Sequence, residues 1–505
     1  MCGILLVHSR NPISLEQHLP ALRILETRGP DFTRYQHRGT IFVAQTVLHI
    51  TGTDDFYNTN RPDFFAYNGE IYNHHRHGNS TNDVEVAYNA ASAMPAKFKH
   101  FEGPWAWCYV NGEQYRYASD PQGERCLYRY QDDDILIVAS EVAAILQYKQ
   151  LGLDIQPYGE RHWPVHLRTP WQGIERVPPG IMYNELDQTL KINSIFDWHN
   201  QPLYNSVDEA AEDFKTVFAG VIRDMRPTES FGITFSGGLD SACVLAALPE
   251  ADHLYTINNV GKDTISNQVH KFLTPEQQAR LVQFDIDEPM WAQDFIDVVQ
   301  RTRMPAQSWS FVGQWKIAQQ CQERILFTGV GADELFGGYG VYRNLKYTDT
   351  HSVSPYSYFD PKTADDSILS TWKQCLDFYN GDARQATLMM DYVTQISAVD
   401  LRGIDTCTSA HGVESRSPFV HPAIIKFALN LPFEYKVGTV LKPIIQYQFL
   451  NHWSKELVFP KQGFSGHCND SYSWLDIEVP RVDNRHQDWK NIVFAGFTRW
   501  CNPAS

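Results

Sequence analysis

The chain has 505 residues, of which 43% are hydrophobic, and its formal net charge is −16. With 13 Trp, 25 Tyr and 28 Phe it can build a packed core, so a disordered chain is excluded, and the length predicts two or three domains. The acidic balance speaks against a nucleic-acid or membrane-surface partner, while leaving room for a local pocket that takes a small anion. No window reaches the length of a transmembrane helix. The apolar start, Gly3 to Val7, is too short for a signal peptide and lacks a basic flank, which predicts a cytoplasmic protein. Nine cysteines occur without a single CxxC pair, so neither a zinc site nor a disulfide framework is expected.

Residues 1 to about 190 read as β-rich. Short apolar or alternating runs (GTIFVAQTVLHI, DFFAYNGEIYN, PWAWCYVNG, YRYASD, DDILIVASE) are separated by turn residues. Two patterned helices interrupt them, over Leu15–Glu26 and Asp83–Ser92. Packed antiparallel sheets with helices outside are expected. After the linker FDWHNQPLYNS, from about residue 205, helical periods such as VDEAAEDFKTVFAGVIRDM alternate with short buried-looking strands: FGITFSGG, HLYTINNV, RLVQFDI and RILFTG. That alternation predicts a parallel sheet, followed by a mostly helical stretch from Ser367 to Leu450.

Two glycine-rich strings carry the strongest chemical signal. In FGITFSGGLDSACVLAAL a strand ends at Phe235, Ser236–Gly237–Gly238 turns, and a helix begins near Asp240. Backbone N–H groups at such a helix start cradle an anion, and the Ser236 and Ser241 hydroxyls add donors. Asp240 suits a phosphate only with Mg²⁺ between them, and no Walker A pattern is present. The second string, FTGVGADELFGGYGVYRN, places Asp333 where it can complete a metal site with Asp240.

Cys2 directly follows the initiator methionine. Once Met1 is removed, thiol and α-amine lie on one residue, and an amine with a pKa near 8 can take the thiol's proton. Further along, NGEIYN supplies the amide of Asn68 and the N–H of Gly69, a pair suited to an oxyanion hole or, alternatively, to a type I′ hairpin turn. Glu70 and Asp83 are carboxylates able to hold a substrate ammonium group.

SGGLDS resembles the loop of the ATP pyrophosphatases, which implies cleavage of ATP between the α and β phosphates. MCGI, RGPDF, NGEIYN and Asp83 together resemble the class II glutamine amidotransferases. In this order, with DLRGIDTCTSAHGVESRSPF and PKQGFSG downstream, the whole chain resembles the glutamine-hydrolysing asparagine synthetases. The resemblance implies an N-terminal-nucleophile hydrolase sandwich (α-β-β-α) over residues 1–190 and a parallel-sheet ATP pyrophosphatase domain over 205–505. It implies Cys2, Asn68, Gly69 and Lys461 as catalytic residues. Val47, Leu48, His49, Ile50 and Thr51 would contact glutamine with Asn68, Gly69, Glu70 and Asp83. Phe235, Ser236, Gly237, Gly238, Asp240, Ser241, Ile257, Thr328 and Gly329 would contact ATP, and Asp240 and Asp333 would hold Mg²⁺. Glu414 either lines the acceptor pocket or pairs with Arg416. Glutamine, aspartate and ATP are the implied substrates, ammonia passes between the sites along a sheltered path, and a homodimer is compatible with the aromatic-rich composition.

The chain departs from the family pattern in places. The arginine that grips the glutamine carboxylate would fall on Val47, which cannot pair with it. Arg61 substitutes, or glutamine binds weakly, or the nitrogen donor is another. DT at Asp405–Thr406 and PFVH ending at His421 replace the usual DR and PFLD near the acceptor. Alternatives to an asparagine synthetase are therefore an adenylating ligase acting on another carboxylate, of the β-lactam synthetase or lasso-peptide cyclase kind, and a non-catalytic nucleotide-binding relative.

Overall fold

The computed structural model describes residues 1–50, 61–78, 82–154, 167–198, 204–260, 265–308, 310–362, 364–458, 493 and 495–501. Among the described residues of the amino-terminal half there are eleven strands: β1 (Gly3–Ser9), β2 (Phe32–Arg38), β3 (Ile41–Val47), β4 (Phe64–Gly69), β5 (Trp105–Asn111), β6 (Gln114–Ser119), β7 (Tyr128–Gln131), β8 (Ile135–Ala139), β9 (Ile174–Arg176), β10 (Ile181–Asn184) and β11 (Thr189–Lys191). They form two antiparallel sheets, ordered β2-β3-β1-β8-β7-β9 and β11-β10-β6-β5-β4.

Strand alternation builds the layers. Ile4 and Leu6 of β1 join Ala66, Cys108, Tyr117 and Val138 in a core between the two sheets. Leu5 and Val7 point the other way, against Ala21, Leu22 and Leu25 of α1 (Leu15–Glu26). On the far side, Tyr67, Trp105 and Trp107 pack on Ala87 and Ala90 of α2 (Asp83–Ala93). With α3 (Val142–Ile145) beside α1, this is the expected α-β-β-α sandwich. Ser14 starts α1 with a capping box closed by Gln17, and Asn82 caps α2 by accepting from the Val84 N–H.

The second half begins with α4 (Val207–Met225), whose buried stripe of Ala210, Phe214, Phe218, Val221 and Met225 follows helical spacing. Its sheet is parallel throughout: β12 (Gly232–Thr234), β13 (His253–Asn259), β14 (Leu281–Ile286), β15 (Ile325–Phe327) and β16 (Glu414–Arg416), ordered β14-β13-β12-β15-β16. The chain leaves β12 through α5 (Leu239–Ala247) to β13 on one side, and later places β15 on the other. The crevice beyond the carboxyl ends of β12 and β15 is therefore the switch point where such sheets bind ligands.

The helical C-terminal stretch contains one element that sequence pattern does not reveal, a π-helix over Tyr392–Asp400. The halves share a core: Leu22, Leu25 and Ile145 belong to the same apolar cluster as Trp291, Phe295 and Cys407.

Candidate functional site

Around Cys2 the residues come from distant parts of the chain. Cys2 leads into β1 and is 8% exposed. Its N–H donates to Asn68 Oδ1 at 2.8 Å. Asn68 and Gly69 are not a hairpin turn. They end β4 in register with Ala106 and Trp105, and a Cβ on Gly69 (φ 152°) would lie 2.1 Å from the Pro104 carbonyl oxygen. The other end of the Asn68 amide, Nδ2, is buried and has no hydrogen-bond partner. A buried donor without an acceptor is costly, and this one belongs to the side chain that holds the Cys2 nitrogen.

The two carboxylates expected for a substrate ammonium are both inside. Asp83 accepts from the Ile71 N–H at 3.1 Å and from the Tyr67 hydroxyl at 3.2 Å, and burial pushes its carboxyl up to about 6. Glu70 accepts from Arg416 Nη2 at 3.0 Å. Glu414 does not line the cavity found at the switch point of the parallel sheet. It accepts from Arg416 Nε at 2.9 Å and pairs with the Met1 ammonium at 3.4 Å. Burial works to raise Glu414, but that ammonium, Arg416 and Arg125 outweigh it and hold it below the ordinary range.

The stretch after β3 is used for packing. Val47 is fully buried, and Leu48 and Ile50 enter the core of the synthetase half together with Tyr72. The backbone of His49 is fixed from both sides, its N–H on Asp31 and its carbonyl on Arg324. Thr51 lies outside the described residues. Arg61 stacks on Tyr88 of α2 at 4.3 Å.

At the switch point lies a cavity of about 470 Å³. Phe235, Ser236, Asp240, Ser241, Ile257, Thr328, Gly329 and Asp333 all line it, while Gly237 and Gly238 shape the turn behind. The Ser241 hydroxyl braces that turn, accepting from the Ser236 N–H and donating to the Gly238 carbonyl. Gly329 lets the two loops meet, since a Cβ there would sit 3.0 Å from the Ser241 nitrogen. Asp240 and Asp333 come together as a pair, with the ammonium of Lys442 between them, 2.6 Å from an oxygen of each. Lys461 lies outside the described residues.

Several groups were not singled out from sequence. Lys442 is one; its only signal is a lysine immediately before Pro443, which opens a helix. Glu334, Tyr339, Tyr356, Gln395 and Asp400 line the deeper cavity. Burial, then the neighbouring Asp333 charge, push Glu334 well above the ordinary carboxylate range. The Thr256 hydroxyl also faces the cavity wall, buried and without a hydrogen-bond partner. Among the described residues no group of three or more His, Cys, Asp or Glu could hold a metal by itself, and no helix is long and apolar enough to cross a membrane.

Comparison with known proteins gives two family matches. Residues 1–196 match the model of a glutamine amidotransferase domain, and residues 216–478 match that of asparagine synthase. Similar curated proteins include the asparagine synthetase (glutamine-hydrolyzing) of Sandersonia aurantiaca, 23% identical over 94% of this chain and 88% of that one. The root asparagine synthetase of Pisum sativum is 22% identical over 94% and 79%, and the asparagine synthetase of Cricetulus griseus 22% over 97% and 88%. Among solved structures, a glutamine phosphoribosylpyrophosphate amidotransferase from B. subtilis complexed with ADP and GMP is similar at a TM-score of 0.28. Its identity is 15% over 55% of this chain and 70% of that one, a likeness too slight to carry weight. The family models span both halves, and the chain belongs to the asparagine synthase family.

Proposed function

We propose that the chain is a glutamine-dependent asparagine synthetase: ATP adenylates the side-chain carboxylate of aspartate, and ammonia released from glutamine at Cys2 attacks it. The products are asparagine, AMP, pyrophosphate and glutamate. The observation that carries the glutaminase half is the Asn68 amide, whose Oδ1 holds the Cys2 nitrogen while Nδ2 is left without a partner. After Met1 is removed, that nitrogen is the α-amine. Asn68 Oδ1 would then orient one of its hydrogens and leave its lone pair for the thiol proton. Nδ2 and the Gly69 N–H would receive the oxyanion formed when sulfur adds to the carboxamide, a contribution of about 10²–10³ in kcat per donor. Glu70, oriented by Arg416, and Asp83 would hold the substrate ammonium group.

In the second half the Ser236 and Ser241 hydroxyls and the start of α5 would hold the pyrophosphate end of ATP, with Ile257 against the base. Asp240 and Asp333 fit a Mg²⁺ shared with phosphate oxygens, because two carboxylates at a nucleotide cavity are what this ion takes from protein. The ion would supply charge neutralisation at the breaking phosphate bond. Lys442 is placed to move from the carboxylates onto the phosphates, and Lys461 is the residue expected to steady the adenylating transition state. A carboxylate is a poor electrophile; when one of its oxygens attacks the α-phosphorus of ATP and pyrophosphate leaves, the resulting acyl-adenylate lets ammonia displace AMP.

One observation favours a second reading. The described lining of the cavity includes Asp240, Asp333, Glu334 and Asp400, and no Lys or Arg. Such a wall suits an acceptor carboxylate whose far end is an amine or guanidine. Purified protein with ATP, Mg²⁺ and aspartate, given either glutamine or ammonium, tests both readings, with asparagine quantified by mass spectrometry. Asparagine from both donors, with only the glutamine route lost in Cys2→Ala, is the expected result. Glutamate released without asparagine would reject aspartate and favour the second reading.

A further inference from the structure

Arg28, from the RGPDF string, has no part in the chemistry above, yet each nitrogen of its guanidinium has a partner. It is 0% exposed. Its Nε donates to the carbonyl oxygen of Cys2 at 3.1 Å. Its Nη2 donates to Asp405 Oδ2 at 2.8 Å, and its Nη1 to Ser409 Oγ at 2.8 Å and to Glu141 Oε1 at 3.4 Å. Asp405 and Ser409 belong to the synthetase half. They stand four residues apart on the helix Leu401–Ser409, hence on one face of it, and that face closes on Arg28. Ile404, the residue before Asp405, lines the nucleotide cavity.

We propose that Asp405 is a positioning residue for the nucleophile: with Ser409 it fixes the Arg28 guanidinium on the backbone of Cys2, so that a helix of the synthetase domain sets where the thiol stands. The proposal rests on the reading of Cys2 as the glutaminase nucleophile. A guanidinium is planar, and its direction is set by the acceptors it meets. Here two of its nitrogens are held from the synthetase side, and the third holds the carbonyl one bond from the Cα that carries the thiol. Reaction of sulfur with a carboxamide demands alignment within a fraction of an ångström, and displacement by 1 Å can cost about a hundredfold. The same helix meets both centres, which gives the synthetase half a direct mechanical hold on the glutaminase.

The test uses the full-length chain with Asp405→Asn and Ser409→Ala. Three quantities are measured: glutamate release from glutamine, binding of Mg·ATP, and the thermal unfolding midpoint. We expect the glutaminase kcat to fall about tenfold in Asp405→Asn and about threefold in Ser409→Ala, with the KM for glutamine and the affinity for Mg·ATP held within about twofold. A purely structural ion pair would lower midpoint, ATP binding and glutaminase together, and that pattern would overturn the proposal. So would an unchanged kcat in both variants while the wild type is active. If Asp405→Asn does not fold, Ser409→Ala decides alone, since it removes one acceptor and no charge. A wild type that releases no glutamate defeats the glutaminase reading itself, and the positioning role with it.

Discussion

At the cavity beyond β12 and β15, Thr234, Ser236, Asp240 and Ser241 of one short stretch and Thr328, Asp333 and Glu334 of another bring polar groups, each stretch running on from a parallel strand. Around Cys2 they come from residues 28, 68, 70 and 83 of one half and 405, 414 and 416 of the other. The first centre is an open crevice fixed by local backbone geometry. The second is a closed seam where nearly every charge already has a partner across the domain boundary. A local site can be kept by a handful of neighbouring residues, whereas the centre around Cys2 depends on how the two halves are docked.

The sharpest way to break this contrast is Asn68→Ala. It is expected to lower the glutaminase kcat by about 10²–10³ and leave Mg·ATP affinity unchanged, measured by glutamate release and by calorimetric titration. A parallel loss of ATP binding would show that the two centres are not separately built. Next is Lys442→Met, which leaves Asp240 and Asp333 facing each other without their cation. Removing one partner of such a pair is expected to cost about 3–5 kcal/mol of stability, and Mg·ATP is expected to restore most of it. Thermal midpoints with and without the nucleotide check this. A loss that nucleotide does not recover would mean that Lys442 braces the fold alone.

The smallest effect concerns the seam. Glu124 is buried beside Arg125 and Asp120, and burial pushes its carboxyl up to about 8. An unfolded glutamate titrates near 4.3, so between about 4.3 and 8 the folded chain holds a proton that the unfolded chain has released. Stability therefore falls as pH rises through that window, and the contribution is fully present only below it. Glu124→Gln is expected to flatten the slope, seen as a smaller difference between urea midpoints at about pH 5 and about pH 8.5. An identical slope in the variant would place the titrating group elsewhere.

The same contrast decides how much was legible in the sequence. Helix α1 was predicted over its full span because its apolar period and Ser14 cap are local. The strand-loop-helix at Phe235–Ser241 and the string holding Asp333 were readable for the same reason. Lys442 was not, because its approach to Asp240 depends on a left-handed backbone at φ 50° and on packing 202 residues away. Asn68 and Gly69 were caught between two local readings, a turn and an oxyanion site, and only the pairing of β4 with β5 removes the turn. Glu414 stood between a distant pocket and a local pair with Arg416 two residues on; the structure places it with Arg416 and with the Met1 ammonium, a partner no local pattern announces.

Met1 itself is 2% exposed, with its ammonium against Glu414 of the other half. An aminopeptidase needs an accessible chain end, and docking of the two halves hides this one. On the proposed reading of Cys2 as the nucleophile, excision of Met1 would therefore have to win a race against folding: it would take place while the second half is still being made or before the halves close. A chain that docks first keeps its methionine and carries a capped nucleophile in an otherwise well-formed molecule. Preparations of one sequence would then hold two populations alike in fold and in ATP binding, distinguishable by intact mass, and only one of them able to open glutamine.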